Sequence, residues 1–298
     1  MRIVLLVVLV LFAGWFAIGF VRSLARMGSW RPRLIETVTG FVTVFFDTFG
    51  IGSFATTTTV FRAWQVVPDE LIPGTLNVGH MITSVMGAVI FIQLVPVEPG
   101  TLVSMIVASG LGAWLGAGIV ARLPRHQVRL GMGLALTAAA SIMLLSQLRL
   151  LPAGRDAVEL RGASLAAAVV GNFILGGLMT LGIGLYAPCM ILVSLLGLNP
   201  RAAFPIMMGS CAFLMSISGT RFIRAARYQP SAAAGLTLGG IPALLIAALV
   251  VKSLPLEVVR WLVVLVVFYT ALTLLQAGRR ERASLRSLPR ALPTPSST

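Results

Sequence analysis

The sequence predicts an all-α polytopic membrane protein made of two inverted repeats. Each repeat has a broken, re-entrant-like helical hairpin plus three transmembrane helices, and an extra helix precedes the first. Composition, the length of the apolar runs and an internal repeat lead to that class. Hydrophobic residues fill 57% of the 298 positions, charged residues only 11%, and the mean hydropathy is +0.96. A compact soluble globule of this size could not cover so much apolar side chain. The apolar runs fall roughly at 1–21, 34–66, 71–95, 99–123, 128–150, 163–197, 202–222, 231–254 and 257–277. They have bilayer length and lack the alternation of membrane strands, so they read as helices that satisfy their own backbone in lipid.

The run at 1–21 has one basic residue, Arg2, and no clear cleavage site after it, so it reads as a retained helix rather than a signal peptide. The runs at 34–66 and 163–197 are too long for one crossing, and each is interrupted by Gly-x-Gly, at Gly50–Gly52 and Gly182–Gly184. Glycine weakens a helix and permits positive φ, so each run reads as two half-helices around a bend. These runs belong to a repeat: Thr48–Gly87 aligns on Thr180–Gly219 without a gap. Gly50/Gly182, Gly52/Gly184, Pro68/Pro200, Pro73/Pro205, Ser84/Ser216 and Gly87/Gly219 coincide. The resulting organisation is 1–33 as N-terminal helix and basic loop, 34–150 as first repeat, 151–162 as linker, and 163–277 as second repeat. A basic tail, 278–298, reads as disordered.

Charge sets the orientation. Arginines cluster at Arg22–Arg33, Arg122–Arg129, Arg221–Arg227 and Arg279–Arg290. Placing these in the cytoplasm, as the positive-inside rule asks, threads the chain consistently only if each broken segment enters and leaves on one side. Three crossings per half then invert the repeats, with the N-terminus outside and the C-terminus cytoplasmic in a cell membrane. A net charge of +14 distributed this way argues against nucleic acid as a partner. Two cysteines and two histidines are too few for a metal constellation, and no cofactor or soluble-enzyme motif is present.

Broken helices in inverted repeats place half-helix N-termini near the midplane, where free N–H groups and partial positive charge favour an anion. Candidate ligands at the first bend are Gly50, Gly52, Ser53, Thr56 and Thr57; the alternative for the threonines is back-bonding to their own helix. In the second half they are Gly184, Tyr186, Cys189 and Ser210, and Asn77 joins them from the run after Pro73-Gly74, where packing between helices competes with ligand binding. Asp47 and His80 are ionisable residues inside apolar runs, and His80 lies about ten residues, or about 15 Å, into its helix. Such groups face a partner or a water path, so both are candidates for carrying a coupling proton, and they could pair with each other. For His80 the competing role is that of a neutral structural histidine. Gly112 and Gly116 form a small-xxx-small pair suited to helix packing.

The same residues carry a family likeness. Gly40-Phe41 leading into Asp47-Thr48-Phe49-Gly50-Ile51-Gly52-Ser53 resembles the first glycine-rich motif of the TauE/SafE sulfite exporter family, also called the toluene sulfonate uptake permease family. Gly182-Ile183-Gly184-Leu185-Tyr186-Ala187-Pro188-Cys189 resembles its second motif, and Ile72 to Asn77 and Pro205 to Cys211 are similar as well. The likeness implies transport of a small sulfur-containing anion such as sulfite or an organosulfonate. Ser53 where a further glycine is frequent, Asp47, and the extra first helix depart from the commonest pattern. The expected function is therefore a secondary transporter (permease) of a small anion, not an enzyme. The alternatives are transmembrane thiol–disulfide electron transfer through Cys189 and Cys211, and a passive anion channel.

Overall fold

The computed structural model describes residues 2–28, 30–48, 53–68, 71–120, 157–179, 185–251 and 256–287, with a few positions between 126 and 148. Among them there is no strand, only an isolated bridge between Ala157 and Leu198. The helices are α1 (Arg2–Met27), α2 (Leu34–Asp47), α3 (Ser53–Ala63), α4 (Ile72–Gly79), α5 (Met81–Leu94) and α6 (Pro99–Val120). They continue with α7 (Gly162–Met179), α8 (Tyr186–Leu195), α9 (Ala203–Arg224), α10 (Pro230–Val251) and α11 (Leu256–Ser287). By length and apolar composition four stretches can cross a membrane, Ile3–Met27, Gly162–Met179, Ala203–Arg224 and Pro230–Leu249, and α4 with α5 makes a fifth. Leu34, Val38, Val42 and Phe46 of α2 lie exposed on one side while Glu36, Thr39, Thr43 and Asp47 are buried on the other. For a helix in lipid that is the arrangement its polar groups require.

Two expectations need correction. The run at 71–95 is not one ordinary span: α4 and α5 meet at His80 with a bend of 41°. The Thr237 hydroxyl of α10 donates to the Gly79 carbonyl at 2.8 Å, and the Thr83 hydroxyl donates to the His80 carbonyl at 2.9 Å. A side chain that bonds a helix carbonyl from a neighbouring helix, as Thr237 does at Gly79, is a recognised cause of a kink. The tail, in turn, is helical further than expected, since α11 runs through Arg279, Arg280 and Arg282 to Ser287. Its Arg, Glu, Ala and Leu residues are good helix formers, and Gly278 packs against Leu130.

The two broken segments close on themselves at opposite ends of α9. The Arg33 guanidinium donates to the Val66 carbonyl at 3.1 Å, so α3 ends beside the start of α2. Arg33 also binds the buried Glu36 carboxylate at 2.9 Å, and Ser231 at the start of α10 donates to that carboxylate at 3.2 Å. In the second segment the Asn199 N–H donates to the Ala157 carbonyl at 2.8 Å, which brings the end of α8 beside the start of α7. Between these closures α9 runs for 22 residues, about 33 Å at 1.5 Å per residue. Its N-terminus follows the Leu198 turn, and its C-terminus leads to Arg227, whose carbonyl touches Gly74 of α4.

Glycines let the helices approach. The most extensive pairings are α2 with α10 and α6 with α7. A Cβ at Gly40 would lie 2.6 Å from the Leu236 Cα, and one at Gly235 would lie 2.6 Å from the Glu36 Cβ. Gly112 faces the Phe173 carbonyl and Gly176 the Ser109 carbonyl, both at distances no Cβ could tolerate. Without a hydrophobic force between helices in lipid, such close backbone contact is what holds them. Gly112→Ala or Gly176→Ala should therefore separate α6 from α7 and lower stability by about 1–3 kcal/mol. Gly110→Ala, with nothing within 4 Å of the new methyl, should be neutral or slightly stabilising. Melting of the three purified variants checks the contrast.

Glu98, in the loop between α5 and α6, caps α6 by accepting the N–H groups of Gly100 and Thr101 at 2.8 and 2.6 Å. The Gly100 bond first, then the Thr101 bond, holds its carboxyl below the ordinary 4.5. A lowered folded-state value means the contribution is complete above about 4.5 and disappears as pH falls through the folded-state value. The melting advantage of wild type over Glu98→Gln should accordingly be constant near neutrality and shrink below that pH.

Candidate functional site

Gly50, Gly52 and Gly184 lie outside the described residues, but the residues flanking both bends are described and meet. Asp47, last residue of α2, is buried, and its carboxylate accepts the N–H of Ser53, first residue of α3. The Ser53 hydroxyl and the Tyr186 hydroxyl also hydrogen-bond it. Tyr186 opens α8 directly beyond the second bend, so one carboxylate joins the flanks of both broken segments. Ser84 of α5 lies within reach of Tyr186 and 3.3 Å from the Met215 sulfur. No basic side chain among the described residues acts on Asp47.

A second polar layer sits one turn away along three elements at once. Thr43 precedes Asp47 by four residues on α2, Thr57 follows Ser53 by four on α3, and His80 precedes Ser84 by four at the α4–α5 bend. One helical turn separates the layers by about 5–6 Å. Thr57 donates to Thr43 at 3.0 Å and lies 3.3 Å from His80 Nε2. All three side chains are buried, and His80 Nδ1 has no hydrogen-bond partner among the described residues. Asp47 and His80 therefore do not pair with each other, contrary to one expectation: the first is bound by Ser53 and Tyr186, the second by Thr57.

The remaining candidates fall elsewhere. Thr56 back-bonds to the Ser53 carbonyl at 3.0 Å. The Asn77 amide donates to the Pro73 carbonyl of its own helix at 2.8 Å and its oxygen accepts from Ser218 of α9 at 2.7 Å, which engages both of its polar ends. Ser210 accepts from Asn172 of α7 at 2.9 Å, and the same amide donates to the Met105 carbonyl at 2.7 Å. Cys189 and Cys211 are buried free thiols; Cys211 is 3.6 Å from the Met179 sulfur. A groove of about 760 Å³ opens between α6 and α7, but Val103, Val107, Leu111, Val169 and Phe173 give it apolar walls, and the Ser104 hydroxyl in its lining donates to the Thr101 carbonyl. The chemistry lies at the buried polar layers instead.

Glu36, Thr43, Ser84 and Asn172 are polar contacts that the sequence reading passed over. A signal for the first two was present: Glu36, Thr39, Thr43 and Asp47 recur at helical spacing along one apolar run, a polar stripe that period analysis can detect. Asn172 had no comparable marker.

Compared with known protein families, curated proteins and solved structures, the chain matches none.

Replacing Tyr186 with Phe removes one donor from a buried carboxylate and leaves the shape nearly unchanged. The expected loss is about 1–3 kcal/mol, the penalty for under-satisfying a buried polar group. Asp47→Asn in the same background should relieve most of that loss, since a neutral amide needs the phenol less. A double-mutant cycle on melting temperature measures the coupling.

Proposed function

We propose that the chain is a secondary transporter of a small oxyanion, such as sulfite or an organosulfonate, bound near the membrane midplane between the two broken hairpins. The observation that carries this reading is the junction of Asp47, Ser53 and Tyr186, where the flanks of both hairpins meet. The N-termini of α3 and α8 start there, and helix N-termini favour negative charge. The motif resemblance to the TauE/SafE family points to the same solute class.

In this reading the halves are inverted repeats. Their broken segments close at opposite ends of α9, at Arg33–Val66 and at Ala157–Leu198, as an inverted pair requires. The end that carries Arg33, Arg221, Arg224 and Arg227 faces the cytoplasm, which puts the N-terminus outside and the C-terminus inside. An anion beside an ionised Asp47 would meet a like charge in a low-dielectric interior. Uptake of a proton by Asp47 together with the solute removes that repulsion, so transport follows a proton gradient.

The competing reading is thiol–disulfide electron transfer through Cys189 and Cys211, two buried free thiols on the adjacent helices α8 and α9. Vesicles reconstituted with the purified chain separate the two. Saturable flux of labelled sulfite or a short sulfonate that responds to an imposed pH gradient is expected, and Cys189→Ser/Cys211→Ser should retain it. Thr57→Val and Asp47→Asn should each reduce coupled flux by about tenfold or more, the equivalent of one lost polar contact. Absence of flux, or flux indifferent to both substitutions, refutes the transport assignment. Single cysteines at Pro68 and Arg201, exposed residues at the two closures, should react in the cysteine-free background with impermeant reagent from opposite sides of the vesicle.

A further inference from the structure

We propose that His80 is a specificity-determining residue of this site: its Nδ1 accepts the hydrogen of an O–H carried by the solute, so hydroxyl-bearing oxyanions are taken in preference to equally charged ones that lack the group. The inference rests on the anion-transport reading and deepens it.

The histidine tautomer follows from tracing hydrogens along a buried line of hydroxyls. Thr43 donates its one hydroxyl hydrogen to the Thr39 carbonyl at 2.8 Å. Thr57 must then be the donor in its 3.0 Å contact with Thr43, and its own hydrogen is committed in turn. Only a lone pair remains on Thr57 for His80 Nε2 at 3.3 Å, so the hydrogen in that contact belongs to the ring. A neutral imidazole with its hydrogen on Nε2 carries a bare lone pair on Nδ1. That atom is buried without a partner among the described residues, and a buried acceptor left unmade is unfavourable.

No neighbouring side chain among the described residues supplies the missing hydrogen. From α3 come only Thr57 and the Phe54 ring, whose centroid lies 6.1 Å from that of the imidazole. From α10 comes Thr237, which serves the Gly79 and Ala233 carbonyls. On α9, Ser218 is engaged with Asn77 and Cys211 with Met179, while Met215 carries no donor. Thr83 serves the carbonyl of His80 itself. Asp47, one turn along α2, is an acceptor too. Around the polar layers the unfilled demand is therefore for hydrogen, not for more oxygen. A fully deprotonated or alkyl-capped oxyanion brings acceptors only. One that carries an O–H can satisfy Nδ1 and direct its charged end toward the helix N-termini.

The test compares 2-hydroxyethanesulfonate with ethanesulfonate, equal in charge and differing by the hydroxyl, on the full chain in detergent at fixed pH and ionic strength. Wild type should bind the hydroxyl form about tenfold more tightly, the value of one hydrogen bond of this kind. His80→Gln places an amide donor toward Thr57 but no acceptor at the Nδ1 position, so the preference should fall to near one. His80→Asn keeps an acceptor there and should keep the preference. Equal binding of both sulfonates by wild type, or a preference that survives His80→Gln, refutes the His80 assignment while leaving anion transport standing. If neither sulfonate binds wild type, the failure is that of the transport reading, and this inference goes with it.

A measurement on wild type stands apart from the folding of any variant. With ¹⁵N-histidine, and His126→Gln used to assign the two rings, Nδ1 of His80 should show the unprotonated shift and move only when the hydroxyl sulfonate is added. An Nδ1 already hydrogen-bonded in the free protein, and unmoved by either ligand, means that water fills the place and the proposal is wrong.

Discussion

A helix that stops inside a bilayer exposes N–H and carbonyl groups where no water can reach them, and a carboxylate in the same place needs several donors at once. In this chain one contact answers both needs. Asp47 ends α2 and accepts the N–H that opens α3, while the phenol that opens α8 supplies a further hydrogen. The interruption in one half is thereby tied to the start of a half-helix in the other. The position of Thr43 and Thr57 follows from that junction, because each lies one turn from it on an element that the junction orients.

Cross-bracing between the halves has the same consequence on a larger scale. α2 of the first half packs against α10 of the second, and α7 of the second against α6 of the first. In both pairs backbone meets backbone through glycine, at Gly40, Gly235 and Gly239 in one and at Gly112 and Gly176 in the other. In each broken segment the first helix packs on the other half, while α3 and α8 pack within their own. Any rearrangement that moves α2 must carry α10 with it, so motion between the halves would proceed as displacement of paired helices rather than as flexing of isolated ones.

The buried line from the Thr39 carbonyl through the Thr43 and Thr57 hydroxyls to His80 has a direction, since each hydroxyl holds one hydrogen and passes its lone pair onward. It stands one turn from the carboxylate without touching it. Two ionisable side chains inside the bilayer thus occupy separate surroundings, one rich in donors and one with an acceptor to spare. On the transport reading proposed above, that separation would let them serve different tasks: charge balance at Asp47 and recognition of hydrogen at His80.

Local chemistry made much of this legible in advance. Apolar length and composition identify a helical membrane protein, because the bilayer leaves few alternatives for such runs, and the Gly-x-Gly interruptions locate the breaks at α2/α3 and α7/α8. Asp47, Ser53 and Tyr186 were each conspicuous as polar residues beside those breaks. Other features depend on partners distant in the chain. The bend at His80 is held by Thr237, the amide oxygen of Asn77 is taken up by Ser218, and Asp47 turns to Tyr186 rather than to His80. Nothing in the residues near each position specifies those pairings. They arise only when the second half folds against the first, since a buried polar group binds whichever complementary group the packing brings within about 3 Å.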